Sequence, residues 1–519
     1  MKRLFLFSIS GSFFIAWSCV FFSSVQADES NREGHWIVKR DEQLGIMIHT
    51  LEMVVSPKAE ARPALKHNLI PDDFDLQDGN AAIFYLKAMG FLEQNHARDL
   101  LSEALKKMRK LAEEKGDDSN NVPPHSWREM PLKDLPLEEV KQYLQLTSFQ
   151  RRDLAEAARR RSFSMDRNLR QDPNPVGVLL PDIQSMRELA RNQSLRCRVA
   201  IAEGRVDDAM AILGQQYAMA KHLGTDEFLV SNFVGAAVAG IANGDALQLL
   251  QLPTTPNLYW AFASLPNPII DFRRSLAYER QFLFEQVKVL REIDERPKNA
   301  GYWQEFIDRM LPQIRGLDIY GLGAETTDPE MMRISVVATI AAAYPGAKRY
   351  LVENVGMDRD KVEAYTTAQT FFLAVKRFYE QTRDEHLKWQ SIPFAQAITN
   401  GHFKNLDVQL KVDSESVGWS SVPTTMFLAP INIARAAQQR IQQMIAIIQT
   451  VEAVRMHGAV HKGMLPISLE SLSVPVPVDP YTGVPLLYEL KNDQAVLTGH
   501  RLTGLQYRIV LRFANPPGE

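Results

Sequence analysis

The chain has 519 residues, of which 45% are hydrophobic and 23% are charged, and its formal net charge at neutral pH is -3. These values are typical of a globular protein with a substantial core, and the length predicts several domains at roughly 100–200 residues each. The near-neutral balance argues against a nucleic-acid-binding protein, because such proteins carry a basic excess on one face.

The N-terminus has the order of features found in an export signal. Lys2 and Arg3 precede an apolar run over residues 4–22, and the small residue Ala27 fits a signal-peptidase site. We therefore expect cleavage after Ala27 and a protein that resides in the periplasm or cell envelope. The apolar run is longer than usual, so an uncleaved anchor stays open, and Cys19 offers lipid attachment as a third interpretation. We expect membrane contact only through this segment.

Cysteine and histidine give little indication of chemistry. Processing would leave Cys197 as the single cysteine of the two, and its predicted helix "LRCRVAIA" favours a small buried hydrophobe over a nucleophile. His457 and His461 are four residues apart, which on one helix face would present two imidazoles to a metal. Gly458 between them predicts the end of that helix. We therefore expect no metal site and no cofactor.

The N-terminal region, residues 28–136, is predicted to be helical and to end in a linker. "LGIMIHTLEMVV" is interpreted as the apolar part of a short helical entry over residues 28–60. "NAAIFYLKAMGFLEQ" and "ARDLLSEALKKMRKLAEEKG" have apolar residues at helical spacing, and Gly116 is a plausible stop. Residues 117–136 follow as the linker.

A helical-hairpin region is predicted over residues 137–330. Its clearest part runs from Asp182 as helix, tight turn and helix, with Gly204 able to take positive φ and Asp207 able to cap the second helix. Alanines on both helices permit close approach, which is typical of hairpins of the tetratricopeptide type. The chain has no clean 34-residue period, so the predicted stack is irregular. "FVGAAVAGIANGDALQLL" then predicts a helix that is buried all round.

Two aromatic residues inside a proline-bracketed stretch are candidates for a binding groove. Tyr259 and Trp260 lie in "LPTTPNLYWAFASLPNP", where a short helix is predicted. At helical spacing, such rings are more often part of a core. A C-terminal helical region over residues 331–460 follows, and its long helix is predicted from Asn432 to about Met456.

The last segment, residues 461–519, changes character. In "VPVPVDPYTGVPLLYEL", Asp479 can accept hydrogen bonds from the turn backbone, Pro480 fixes φ and Gly483 supplies positive φ. Three alternating segments follow, "PLLYEL", "QAVLTG" and "QYRIVLRF". The predicted fold is therefore mainly α, with stacked helical hairpins in an irregular, solenoid-like arrangement and a small C-terminal antiparallel β-sheet.

Several of these stretches together resemble a known family. "PNLYWAFASLPNPIIDFRRSLAYE", "AYPGAKRYL", "RDEHLKW" and "LPISLESLSVPVPVDPYTGVPLLYEL" are similar to the exported helical proteins that planctomycete-type bacteria carry in many copies. The resemblance runs from about residue 78 to the C-terminus and implies export and a mainly helical fold. It implies no functional residues. The C-terminal part is also locally similar to type II secretion pseudopilins, although the long helix is internal here.

Catalytic signatures are weak. The sequence contains no Gly-x-Ser-x-Gly elbow, phosphate-binding loop or dinucleotide fingerprint. Arg383, Asp384 and Glu385 in "YEQTRDEHLKW", together with Glu279 in "AYERQ", are candidates for a carboxylate-based acid/base site, because neighbouring carboxylates raise one another's pKa. The interleaved basic residues favour an ion-paired helix face instead.

The sequence thus favours an exported protein with an interaction or scaffold role in the cell envelope, with a protein partner and without nucleic acid. An exported hydrolase built on the Glu279 and Asp384 region is the alternative, and a pseudopilin-like assembly subunit is a third hypothesis. The identity of the partner does not follow from the sequence.

Overall fold

The computed structural model describes residues 36–91, 96–115, 122–166, 180–315, 328–399, 421–502 and 504–514. The predicted export segment, with Cys19 and Ala27, lies outside these residues. The chain forms two compact units. The central unit is the stretch Leu276–Ile433, and the composite unit is assembled from three segments, Ala27–Asp166, Leu180–Ser275 and Ala434–Glu519.

The described residues contain sixteen α-helices and seven strands, which confirms a mainly α fold with a small sheet. The helices are α1 (Ala82–Ala88), α2 (His96–Lys115), α3 (His125–Glu129), α4 (Leu137–Leu146), α5 (Gln150–Ala158), α6 (Leu180–Ala202), α7 (Val206–Gly224), α8 (Leu229–Leu249), α9 (Tyr259–Ala263), α10 (Arg273–Gln286), α11 (Ala300–Arg315), α12 (Pro329–Glu353), α13 (Arg359–Glu363), α14 (Thr367–Lys388), α15 (Phe394–Thr399) and α16 (Val422–Val460). The strands are β1 (Trp36–Asp41), β2 (Ile46–Val55), β3 (Gln77–Asn80), β4 (Arg160–Ser162), β5 (Leu487–Lys491), β6 (Gln494–Thr498) and β7 (Leu505–Phe513).

The predicted helical hairpin is α6 and α7 of the composite unit, and α8 packs against both. Gly204 has φ of +70° in the turn, as expected. Asp207 does not cap α7, since Arg205 holds the N-cap position and no side chain there accepts a bond. Buried residues surround α8 on every face, which confirms the all-round apolar pattern. None of the described helices is long and apolar enough to cross a bilayer.

The sheet of the composite unit has the strand order β1-β2-β7-β6-β5. Strands β5, β6 and β7 pair antiparallel, as predicted, but β2 joins β7 in parallel and β1 extends the sheet. The helical entry expected over residues 28–60 is therefore wrong where the structure describes it, since residues 36–55 form two strands. Leu51, Met53 and Val55 are buried at alternate positions, which is the period of a strand, and the partner strand lies at the other end of the chain.

The Asp-Pro turn ties this sheet to the long helix α16. Asp479 accepts from the Tyr481 amide (2.8 Å) at one oxygen, and from Gln443 Nε2 (2.6 Å) and the His500 amide (2.9 Å) at the other. The predicted helix stop at Gly458 is wrong, because α16 continues to Val460. A Cβ at Gly458 would lie 2.4 Å from a ring carbon of Phe513, so close packing on the sheet explains this glycine.

The central unit is built around aromatic packing between its helices. Trp303 on α11 stacks on Phe372 of α14, with ring centroids 5.7 Å apart, and Phe306 contacts the same ring. The Asp328 side chain caps α12 by accepting from the Glu330 amide (3.0 Å). Helices α12 and α14 pack directly against each other.

Candidate functional site

A groove of about 430 Å³ opens between α2, α3 and α4 of the composite unit. Its lining is mostly apolar and consists of Met108, Pro123, Trp127, Glu139, Gln142, Tyr143 and Leu146. The Trp127 and Tyr143 rings form the base, edge to face with centroids 5.9 Å apart. Both rings belong to a buried cluster that includes Leu195 and Val199 of α6. The groove therefore rests on a packed core.

Local sequence patterns position the walls of this groove. Leu101, Leu105 and Met108 recur at helical spacing along α2 and pack against the cluster beneath. The Tyr143 hydroxyl donates to Asn192 Oδ1 (2.9 Å), which directs it inward and leaves the ring at the base. Burial raises the pKa of Tyr143 to about 12, so the phenol is neutral at physiological pH. The base of the groove is thus rigid and apolar.

The rim carries one exposed carboxylate, that of Glu139. Glu139 and Gln142 are exposed on α4. Glu138 pairs with Lys141 at 3.0 Å, whereas Glu139 makes no ion pair with any described residue. A carboxylate beside an apolar base fits a ligand that carries a basic group next to a large apolar side chain.

A second, wider cavity of about 530 Å³ lies at the turn of the α6–α7 hairpin, between residues 204–208 and residues 254–256. Arg205 pairs with Glu203 at 2.7 Å and also contacts Asp208, whereas the exposed Asp207 makes no ion pair with a described residue. The lining is mostly polar and contains no aromatic ring, so this cavity lacks the apolar base of the groove at Trp127.

The predicted carboxylate candidates lie on α10 and α14 of the central unit. Arg383 donates from Nε to Asp384 Oδ1 (2.9 Å) and from Nη1 to the Arg280 carbonyl (3.1 Å). Arg280 Nε lies 3.7 Å from the same Asp384 oxygen. Glu385 pairs separately with Lys388 at 2.5 Å. Asp384 is thus neutralised by two guanidinium groups, an ion-paired arrangement.

Glu279 on α10 differs from these residues. It is partly buried, and loss of hydration raises the pKa of its carboxyl to about 8. Tyr379 lies within its electrostatic reach, and burial together with the Glu279 charge raises the pKa of that phenol. The Tyr379 hydroxyl is buried, and the backbone of Leu283 lies within its hydrogen-bonding reach. Glu279 and Tyr379 are therefore the chemically unusual pair of this region.

Tyr259 and Trp260 both make structural contacts. Tyr259 packs on Ala453 and Met456 of α16, and its hydroxyl donates to the Pro475 carbonyl. Trp260 donates from Nε1 to Glu60 Oε1 (2.6 Å). These contacts place both rings in a structural junction and match the interpretation as core.

The sulfur and imidazole candidates have structural surroundings. Cys197 is buried, its Sγ lies 3.7 Å from the Ala209 carbonyl, and burial raises the pKa of the thiol. The rings of His457 and His461 stack with centroids 3.8 Å apart. Within the described ranges, no three His, Cys, Asp or Glu side chains converge on a possible metal position.

Two sites of buried charge, an ion pair and a single carboxyl, were not predicted from the sequence. Glu452 and Arg455 on α16 form a 2.6 Å pair with both side chains fully buried. Arg455 also donates to the Ser56 (3.0 Å) and Thr255 (2.8 Å) carbonyls, so the pair joins three chain segments. The signal was a Glu and an Arg three positions apart in the mostly apolar C-terminal part of the helix.

The second missed charge is Asp245 on α8. Its carboxylate accepts from Ser194 Oγ (2.9 Å) and Gln216 Nε2 (2.7 Å). Burial raises the pKa of Asp245 to about 6. Its bonds join α6, α7 and α8, so it acts in packing.

A comparison of the chain with family models, with curated proteins and with solved structures finds no match in any of the three. Most of the charged candidates described above are occupied by structural partners. The groove at Trp127 combines an apolar base with an exposed rim carboxylate that pairs with no described residue, and it is the best candidate for a binding site.

Proposed function

We propose that the protein is an exported interaction or scaffold protein of the cell envelope. The observation that carries this proposal is the groove between α2, α3 and α4, with its apolar base and the free Glu139 carboxylate. The ligand that fits this chemistry is a protein segment with a large apolar side chain next to a lysine or arginine. Aromatic bases of this kind supply much of the affinity in protein recognition.

Two further features support the proposal. The N-terminal sequence has the pattern of an export signal. The α6–α7 hairpin, with α8 beside it, gives the groove a helical support of the kind that tetratricopeptide-like stacks use to hold partner segments.

The proposal is tested by site-specific photo-crosslinking in the native envelope. A photoreactive residue replaces Gln142 on the groove rim, and the matched control replaces Gln145, which is exposed on the same helix but does not line the groove. We expect one recurring adduct at position 142 and none at 145, with a cross-linked peptide that contains an apolar and a basic residue.

Charge reversal sharpens this test. Glu139→Lys should lower the yield of the adduct at position 142, because the rim would repel the basic group, whereas Gln145→Lys should leave the yield unchanged. An adduct that is absent, or equally strong at both positions, would contradict the groove as the binding site.

A second candidate function is a hydrolase that uses Glu279 as a general acid. The raised pKa of Glu279 favours it, because a carboxylic acid that is protonated near neutral pH can donate a proton to a leaving group. A screen of ester, peptide and glycoside substrates with the chain and with Glu279→Gln tests this hypothesis. Hydrolysis that Glu279→Gln abolishes would support it, and hydrolysis that is absent or unchanged would exclude it.

A further inference from the structure

Basic side chains from three helices of the composite unit gather where α3 packs against α6. They are Arg109 on α2, Arg128 on α3, and Arg187 and Arg191 one turn apart on α6, and these four residues are called the arginine cluster. His125 on α3 lies within electrostatic reach of Arg109, Arg128 and Arg191. The packing of these helices therefore brings together guanidinium groups that repel one another.

The arginine cluster carries more positive charge than its surroundings compensate. Glu188 contacts Arg191, and Glu129 is the other carboxylate with a marked effect on Arg128. Within the cluster, only Arg191 makes an ion pair with a described residue. Four guanidinium groups against these two carboxylates leave an excess of two positive charges.

Hydrogen-bond donors of the cluster are also left without acceptors. Arg187 Nε is buried and has no hydrogen-bond partner among the described residues. Arg128 Nη2 donates to His125 Nδ1, so the imidazole is neutral and carries its proton on Nε2. Loss of hydration, followed by repulsion from Arg191, lowers the pKa of Arg128 to about 10. An anion at this position would relieve the repulsion and accept from the free donors.

We propose that the arginine cluster binds a dianionic phosphate group, either as free inorganic phosphate or as the phosphate of a soluble monoester. The planar fork of a guanidinium group matches two phosphate oxygens, and such charge-assisted hydrogen bonds are among the strongest that side chains make. A phosphate monoester carries close to two negative charges at neutral pH, which equals the excess of the cluster. A carboxylate would neutralise only one of these charges.

The individual residues contribute in different ways. Arg128 keeps further N–H groups for the ligand besides the one that donates to His125, and the Nε2–H of His125 is an additional donor. Glu188 holds Arg191, whose side chain is 28% accessible. Arg109 is exposed on α2, so the ligand reaches the cluster from solvent on this side.

Isothermal titration calorimetry of the full chain with inorganic phosphate, in a buffer free of phosphate and sulfate, tests this inference. We expect saturable binding at one site that weakens as salt is added. Arg128→Gln should raise the dissociation constant about tenfold or more, because it removes a charge-assisted contact. Arg152→Gln is the matched control and should leave the constant unchanged, since Arg152 is exposed on α5 and makes no ion pair with a described residue.

Further variants keep the test independent of folding. Arg109→Gln changes an exposed side chain and should also raise the dissociation constant. Arg128→Lys keeps the charge but loses the planar fork, so its constant should fall between those of the wild type and Arg128→Gln. Phosphate should raise the thermal midpoint of the wild type and of Arg152→Gln, but not that of Arg128→Gln. The absence of saturable phosphate binding, or equal binding by all the variants, would overturn the inference.

Three ligands distinguish the sources of the bound group. Inorganic phosphate that binds as well as glycerol phosphate would identify a site for the free ion and its esters, whereas binding of glycerol phosphate alone would identify an organic phosphate as the ligand. Acetate should bind at least about tenfold more weakly, because it carries a single charge. Acetate that binds as tightly as either phosphate would overturn the inference. The residues that line the groove at Trp127 are unchanged in every variant, so these outcomes are independent of the proposed function.

Discussion

Asp245 is expected to make the composite unit less stable at neutral pH than in mild acid. Its carboxyl has a pKa of about 6 in the folded protein against an ordinary value of 3.8. The folded state therefore binds this proton more tightly than the unfolded chain. The free energy of unfolding should fall as the pH rises from about 4 to about 6 and then stay at the lower value. At about 1.4 kcal/mol for each tenfold difference in proton affinity, the loss is roughly 3 kcal/mol.

Asp245→Asn should remove this loss. The asparagine mimics the protonated acid, and the Ser194 hydroxyl can still donate to its oxygen. Gln216 donates to the second oxygen, but its own Oε1 is buried and has no hydrogen-bond partner among the described residues. Rotation of the Gln216 amide would therefore present an acceptor to the new NH₂ group, with no net loss of hydrogen bonds. We expect a gain that approaches 3 kcal/mol near neutral pH and vanishes near pH 4.

Thermal unfolding followed by calorimetry at several pH values is the appropriate measurement. A large domain shifts its midpoint by roughly 2–4 °C per kcal/mol, so the variant should gain several degrees at neutral pH. Asp208→Asn is the control, because Asp208 is an exposed acid on the same hairpin with a side chain that is 57% accessible. If Asp245→Asn destabilises the protein at every pH, or leaves the pH dependence as it was, the folded protein stabilises the charged form and the argument is refuted.

Two further predictions concern packing in the composite unit. Arg455→Met leaves the buried Glu452 carboxylate unpaired, so it should lower the free energy of unfolding by about 3–5 kcal/mol in urea titrations. The control is Arg512→Met on the surface, which should change this free energy by less than about 1 kcal/mol. Similar losses for the two variants would contradict the buried pair. Gly214→Ala should lower the thermal midpoint, since a Cβ there would lie 2.1 Å from the Leu69 carbonyl oxygen. At Gly244 a Cβ would meet open space, so Gly244→Ala should raise the free energy of unfolding by up to about 1 kcal/mol and raise the midpoint accordingly. A gain in stability at both positions would refute the close approach at Gly214.

Local chemistry in the sequence was sufficient to predict much of the helical structure. The α6–α7 hairpin follows from helical spacing on either side of Gly204, whose positive φ ends one helix and allows the next to begin. The Asp479 turn follows from a side chain that accepts a hydrogen bond from the backbone of the turn. The hydrogen bond from the Tyr481 amide to Asp479 Oδ1 confirms it. These features depend on residues a few positions apart, so short sequence motifs are enough to predict them.

Only the tertiary structure decided what lies far apart in the chain. The parallel pairing of β2 with β7 joins residues about 450 positions apart, so no local pattern of apolar residues predicts it. The apolar residues of "LGIMIHTLEMVV" are compatible with the period of a helix and with that of a strand. The groove likewise needs Met108, Trp127 and Tyr143 from three helices. Whether a charged side chain is buried, as for Glu452 and Arg455, depends on the backbone carbonyls that other segments supply. Burial and long-range pairing are properties of the assembled chain, which is why the sequence indicated the elements and the tertiary structure decided the sites.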